Sequence, residues 1–223
     1  MRKPDPATRG GNLEPSRLTV TLGLLIMLAG LFKTLPYLLP RLGWSVPEAE
    51  VASYLWNFSP LLPLAVVMGA SLSLRGAVLC GSLAWLLGDL GIWAASGRWD
   101  LAFYRGQPIV YLCLWLVVAT GFLGSRLQRS DSLASRIPGN LLGGMVGAAV
   151  FFLVSNLLVW LLGNEVQYPH TLGGLLECYT MAIPFHKNDF FSMLLFVPVF
   201  TMLLPARRAT AEFEAERTPA RAR

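Results

Sequence analysis

The chain has 223 residues, of which 54% are hydrophobic and only 14% are Asp, Glu, Lys or Arg, with a net charge of +5. A soluble domain of this length carries about 25% charged residues. Here the apolar residues run in long blocks without a polar stripe, which excludes a water-facing globule and points to a bilayer as solvent. The positive charge does not indicate nucleic acid, because the basic residues lie in short loops and tails between apolar blocks and leave no basic, aromatic-interleaved face.

Residues 1–17 carry Pro4, Pro6, Gly10, Gly11 and Pro15 and read as a disordered cytoplasmic tail. The apolar block behind them is too long for the core of a cleaved signal, and no small-x-small cleavage site follows. Residues 18–39 form a first predicted span whose one charge is Lys33; Pro36 should kink it and Pro40 end it. The loop after it closes on Tyr54-Leu55-Trp56-Asn57-Phe58-Ser59, where Tyr54 and Trp56 suit an interfacial belt. A short second span, 60–74, begins with Pro60 in its first turn. The third, 76–95, carries Asp89 between Trp85 and Trp93, and the fourth, 108–124, again opens on a proline. The fifth, 139–162, starts with Gly139, Gly143 and Gly147, a small-residue face that lets helices approach closely. Packing within the chain is the plainer reading of that face, and a dimer seam is the other.

Residues 171–183 predict a short interfacial or re-entrant helix. Leu172, Leu175, Leu176, Tyr179, Ala182 and Ile183 recur on one face, Thr171 supplies an N-cap and Pro184 a stop. A sixth span, 188–204, and a second disordered cytoplasmic tail, 205–223, complete the chain. The expected fold is therefore all-α, a single membrane bundle of about six spans over residues 18–204. With the N-terminus inside, thirteen Lys and Arg fall on the inner side, four on the outer side, and Lys33 within a span. That bias places both termini in the cytoplasm, in an inner (cytoplasmic) membrane. The two halves show no internal repeat, so inverted-repeat transporter folds gain no support.

Cys80, Cys113 and Cys178 form no CxxC pair, and with two histidines they do not make four clustered ligands, so no metal or disulfide is expected. His170 and His186 lie in a loop region with no second helix to offer partners, and no haem or other cofactor is expected. No nucleophile has a base at helical spacing and no GxSxG pattern occurs, so catalysis is not expected. An ionisable group in hydrocarbon costs roughly 2.5–3.5 kcal/mol and therefore faces the bundle with a partner. Lys33 and Asp89 sit at similar depth and are expected to pair, either as a bridge between two helices or as part of a solute pocket. Asn156 reads as a helix–helix hydrogen bond or a ligand contact. Trp160 and Tyr179 read as belt residues or pocket wall. The candidate ligand-binding set is Lys33, Asn57, Asp89, Asn156, Trp160, Tyr179 and His186, collected at the outer end of the bundle.

Several motifs resemble those of a family of small six-span bacterial integral membrane proteins of unknown function. They are Lys33 late in span one, Asn57-Phe58-Ser59-Pro60, Gly88-Asp89, Asn156 and Trp160, the run Tyr168-Pro169-His170-Thr171-Leu172-Gly173-Gly174-Leu175, Cys178-Tyr179 and Ile183-Pro184-Phe185. The resemblance covers most of residues 18–204. It implies an arginine where this chain has Lys33. It also implies an acid where this chain has Met193, a role Asp189 is placed to take. In size and topology the chain is also similar to the substrate-binding subunits of energy-coupling-factor vitamin transporters. That similarity implies a solute pocket at the outer ends of spans one, three, five and six, closed by residues 164–187. It further implies a coupling membrane subunit docked on the small residues Ala77, Cys80, Gly81, Ala84 and Gly88. The alternative is a non-transporting membrane scaffold or assembly protein whose polar groups satisfy one another.

Overall fold

The computed structural model describes residues 15–43, 58–163 and 166–207. The expected tails, the Tyr54–Trp56 belt and Asn57 lie wholly or largely outside these. Six helices of more than two turns form among the described residues, with no strand: α1 (Pro15–Leu38), α2 (Leu61–Ser71), α3 (Leu74–Ser96), α4 (Gln107–Arg126), α5 (Leu133–Leu162) and α6 (Leu172–Leu203). A single helical turn, Trp99–Ala102, lies between α3 and α4. The helix α1 continues through Pro36 and tightens into a 3-10 turn at Leu39–Leu42, where Pro40 sits. Gly43 closes that turn at φ 82°, a left-handed angle that glycine adopts without a Cβ penalty.

Four stretches are long and apolar enough to cross a membrane: Arg17–Leu42, Leu74–Ser96, Trp99–Arg126 and Leu133–Leu162. They mark a membrane protein. The expected second span is different. The helix α2 has 11 residues, which rise about 16 Å against a hydrocarbon core of about 30 Å. All of its residues are buried. Leu64, Val66, Val67 and Met68 pack with Leu114, Val117 and Val118 of α4, Ala84 of α3, and Met193 and Val197 of α6 in one core. Hydropathy reads such a segment as a span because protein interior and lipid are equally apolar. The contact with α4 needs glycine on both sides. A Cβ at Gly69 would overlap the Val118 carbonyl, and one at Gly121 would overlap that of Val66. The chain then turns at once into α3, where the Ser73 hydroxyl caps the helix by accepting from the Gly76 N–H at 3.4 Å.

The glycine face of α5 packs within the chain. A Cβ on Gly143 or Gly147 would meet Thr120 of α4 at 3.5 and 2.8 Å. The small residues of α3 are also interior: Ala77, Gly81, Ala84 and Gly88 are buried. Of the set expected to face a coupling subunit, only Cys80 is not fully buried. At the end of the bundle far from Lys33, polar side chains tie α4, α5 and α6 together. Gln128 Nε2 donates to Asn140 Oδ1 at 2.7 Å, Asn140 Nδ2 to Thr201 Oγ1 at 3.0 Å, and Arg136 Nη2 to the Leu204 carbonyl at 2.7 Å.

The expected separate helix over 171–183 is instead the first third of α6, which runs unbroken through Pro184 and Pro198 to Leu203. Thr171 does cap it, accepting from the Gly174 N–H at 3.2 Å. Proline removes one backbone hydrogen bond and crowds the carbonyl of residue i−4, here Thr180. A full break would leave several more backbone groups without their helical partners, and the helix continues. The buried face also differs from the expected one. Leu172 is 73% and Leu176 58% exposed, while Gly174, Cys178, Asn188, Asp189 and Ser192 are buried. Small and polar residues take the contact instead. The helix α6 runs antiparallel to α5 along its length, from Cys178 Sγ near the Asn156 carbonyl to Thr201 beside Asn140.

Candidate functional site

The site begins with the contact between α1 and α3. Gly30 lies against Leu87 and Gly88, and Gly91 lies against Thr34, so the two helices run close together. The absent Cβ of Gly88 leaves a channel for the Lys33 side chain; a Cβ there would meet its carbons at 2.5–3.1 Å. Lys33 thereby reaches across α3 to Asp89, and Nζ forms an ion pair with Oδ1. Its ammonium also lies 4.2 Å from the centroid of the Trp85 ring.

Asp89 is 1% exposed. Its second oxygen accepts from Gln107 Nε2, and from Tyr111 Oη at 3.3 Å. Both donors lie on the first turn of α4, four residues apart and so on one face. Gln107 lies just before the predicted fourth span, 108–124, and Tyr111 lies inside it. In the sequence they stand only as an amide just before Pro108 with a phenol one turn on.

A cavity of about 220 Å³ opens beside this cluster. Its wall takes Phe32, Lys33 and Pro36 from α1, Ser59, Leu61 and Leu62 at the start of α2, Trp85, Asp89 and Ile92 from α3, Val110 from α4, Phe151 from α5 and Asp189 from α6. Leu101 and Tyr104, from the connection between α3 and α4, complete it. Among the described residues of 164–187, none lines this cavity. A second cavity, about 190 Å³, lies between α5 and α6 and is lined by Asn156, His186, Phe152 and Phe185, among others. Phe151 and Asp189 line both.

Asp189 is 5% exposed. Its Oδ2 lies 3.3 Å from His186 Nδ1, and its other oxygen has no hydrogen-bond partner among the described residues. The His186 ring stacks on Phe152 at 4.4 Å and meets the edge of Phe190 at 4.7 Å. Asp189 precedes Met193 by one turn on the same face, and Met193 is fully buried against Gly144 of α5. Asp189 therefore stands one turn earlier than the acid that the resemblance implied.

The predicted set thus divides. Lys33 and Asp89 come together in the first cavity; Asn156 and His186 line the second. The Asn156 amide donates to the Phe152 carbonyl at 2.8 Å on its own helix. Tyr179 does not line either cavity: its hydroxyl donates to the Leu153 carbonyl at 2.8 Å and clasps α6 to α5. Trp160 is also displaced from the site. Its indole donates to the Pro169 carbonyl at 2.9 Å, and His170 Nε2 lies 2.8 Å from the Trp160 carbonyl. Both belong to a knot that fastens the turn between α5 and α6, because a wide indole at a helix end finds its partner in the adjoining turn. Among the described residues no group of three or more His, Cys, Asp and Glu is placed to hold a metal.

A family model described as a family of unknown function, DUF6580, matches residues 14–213. No curated protein and no solved structure matches the chain.

Proposed function

The chain belongs to that family, and we propose that this member is a multi-pass inner-membrane protein that holds a small solute in the cavity beside Lys33, Asp89 and Asp189. The observation that carries this reading is the cavity itself, about 220 Å³ of open volume with Lys33, Asp89 and Asp189 on its wall. That volume lies below the roughly 300–1,000 Å³ of drug-sized pockets and limits the occupant to a small molecule. In this reading both termini are cytoplasmic, α6 crosses the bilayer alongside α5, and α2 stays within the protein. The cavity then opens toward the outer face, because Arg75, Arg126, Arg129 and Arg136 lie at the other ends of the same helices. We assign no catalytic step to the site.

A scaffold role is the second reading, and one observation favours it: Asp89 is already satisfied by Lys33, Gln107 and Tyr111. Mass spectrometry of small molecules released from protein purified in mild detergent separates the two. Solute capture predicts a small molecule bound to the wild type as purified, or taken up by it from a metabolite extract. Folded wild-type protein with no small molecule, and none taken up from a metabolite extract, leaves the scaffold reading.

A further inference from the structure

The first cavity has an uneven charge. Lys33 and Asp89 cancel each other, and both oxygens of Asp89 are used. Asp189 remains. It is more than nine-tenths buried, shares one oxygen with His186 at 3.3 Å, and presents to the cavity an oxygen with no partner among the described residues. A buried carboxylate is acceptor-only and costly until donors reach it. The rest of the wall carries the aromatic rings of Phe32, Trp85, Tyr104 and Phe151. Aromatic faces are electronegative and favour cations, as the placement of Lys33 over Trp85 already illustrates. An anion entering here would face Asp189 and these rings, and a neutral solute would leave the carboxylate unmatched.

We infer that the solute is a small organic cation with an N–H donor, a protonated amine on a compact apolar body, whose ammonium meets Asp189 while its body rests on the aromatic wall. The inference rests on the reading of the cavity as a solute site and adds the chemical class. His186 holds the far oxygen of Asp189 from the second cavity and so turns the near one toward the amine.

Three probes of one shape test it on the full chain in mild detergent: benzylammonium, benzyl alcohol and benzoate. Each is titrated by calorimetry and by thermal unfolding, on wild type and on Asp189→Asn. The expected result is that benzylammonium binds and raises Tm with dose, the other two do not, and Asp189→Asn weakens benzylammonium about tenfold to a hundredfold, as the loss of a charge-assisted hydrogen bond does. Preference for benzoate or benzyl alcohol, or unchanged benzylammonium binding in folded Asp189→Asn, overturns the cation and leaves the cavity as a solute site. If Asp189→Asn does not fold, the wild-type preference among the three probes decides. If no probe binds, the charge of any co-purified molecule decides: a cation supports the inference and an anion or neutral molecule overturns it. No probe and no co-purified molecule overturns both readings.

Discussion

Removing either partner of the Lys33–Asp89 pair should cost far more than removing both. Lys33→Met leaves the Asp89 carboxylate 1% exposed, with only the neutral donors Gln107 and Tyr111. Asp89→Asn leaves the Lys33 ammonium over the Trp85 ring without the carboxylate it pairs with. Breaking a buried pair from one side costs about 3–5 kcal/mol. For a chain of this size, each kcal/mol moves Tm by about 2–4 °C, so each single variant should lose about 6–20 °C. The double variant restores neutrality. Methionine keeps the apolar stem over Gly88, and asparagine still offers an oxygen to Gln107 and Tyr111. Its deficit should be smaller than that of either single variant, which requires a coupling of more than about 3 kcal/mol, as expected for a buried pair. The assay is thermal unfolding in a fixed detergent, followed by native tryptophan fluorescence and by size-exclusion recovery. Losses that simply add in the double variant would mean that the two charges do not meet, and would refute the placement of Lys33 in the channel over Gly88.

Other expectations follow from the packing. Gly174→Ala should cost about 1–3 kcal/mol by overpacking, because its Cβ would strike the Pro169 carbonyl that holds Trp160, whereas Leu176→Ala should be nearly neutral; equal thermal shifts would put α6 in the wrong helical phase. Asn140→Leu should lower Tm by removing the partner of both Gln128 and Thr201 at about 1–3 kcal/mol; an unchanged Tm would show that the network at that end is unneeded. In a Cys80→Ala background, a cysteine at exposed Gln167 should react with an impermeant thiol reagent applied outside whole cells, and one at exposed Ser130 should not; the reverse pattern would invert the orientation and put the cavity at the cytoplasmic face.

What the sequence disclosed follows from which constraints are local. Two ionisable residues inside apolar segments must find partners, so the meeting of Lys33 and Asp89 was readable. Thr171 as a cap and the inward glycine face of α5 were readable for similar reasons, since each rests on one side chain or its absence. The role of α2 was not, because a core helix and a short span share one composition and differ only in what surrounds them. The continuity of α6 across Pro184 depends on the cost of leaving backbone groups without their helical partners, which spacing alone does not report. Gln107 and Tyr111 became visible only once α4 was set beside α3. Trp160 and Tyr179 carried a signal of aromatic character that serves equally for a site or a clasp, and the structure uses both as clasps.

The central claim is that the cavity beside Lys33, Asp89 and Asp189 holds a small molecule. Filling it without touching a charge tests this most directly. Val110 is half-buried on the cavity wall, and Val110→Phe adds a ring to that space while leaving every polar contact in place. Small molecules released from the wild type and from Val110→Phe should be compared by mass spectrometry, with Tm measured on both apo proteins. The account predicts a folded variant, at least as stable as the wild type, that has lost the molecule carried by the wild type. A variant of the same stability that carries the same molecule in the same amount would contradict it.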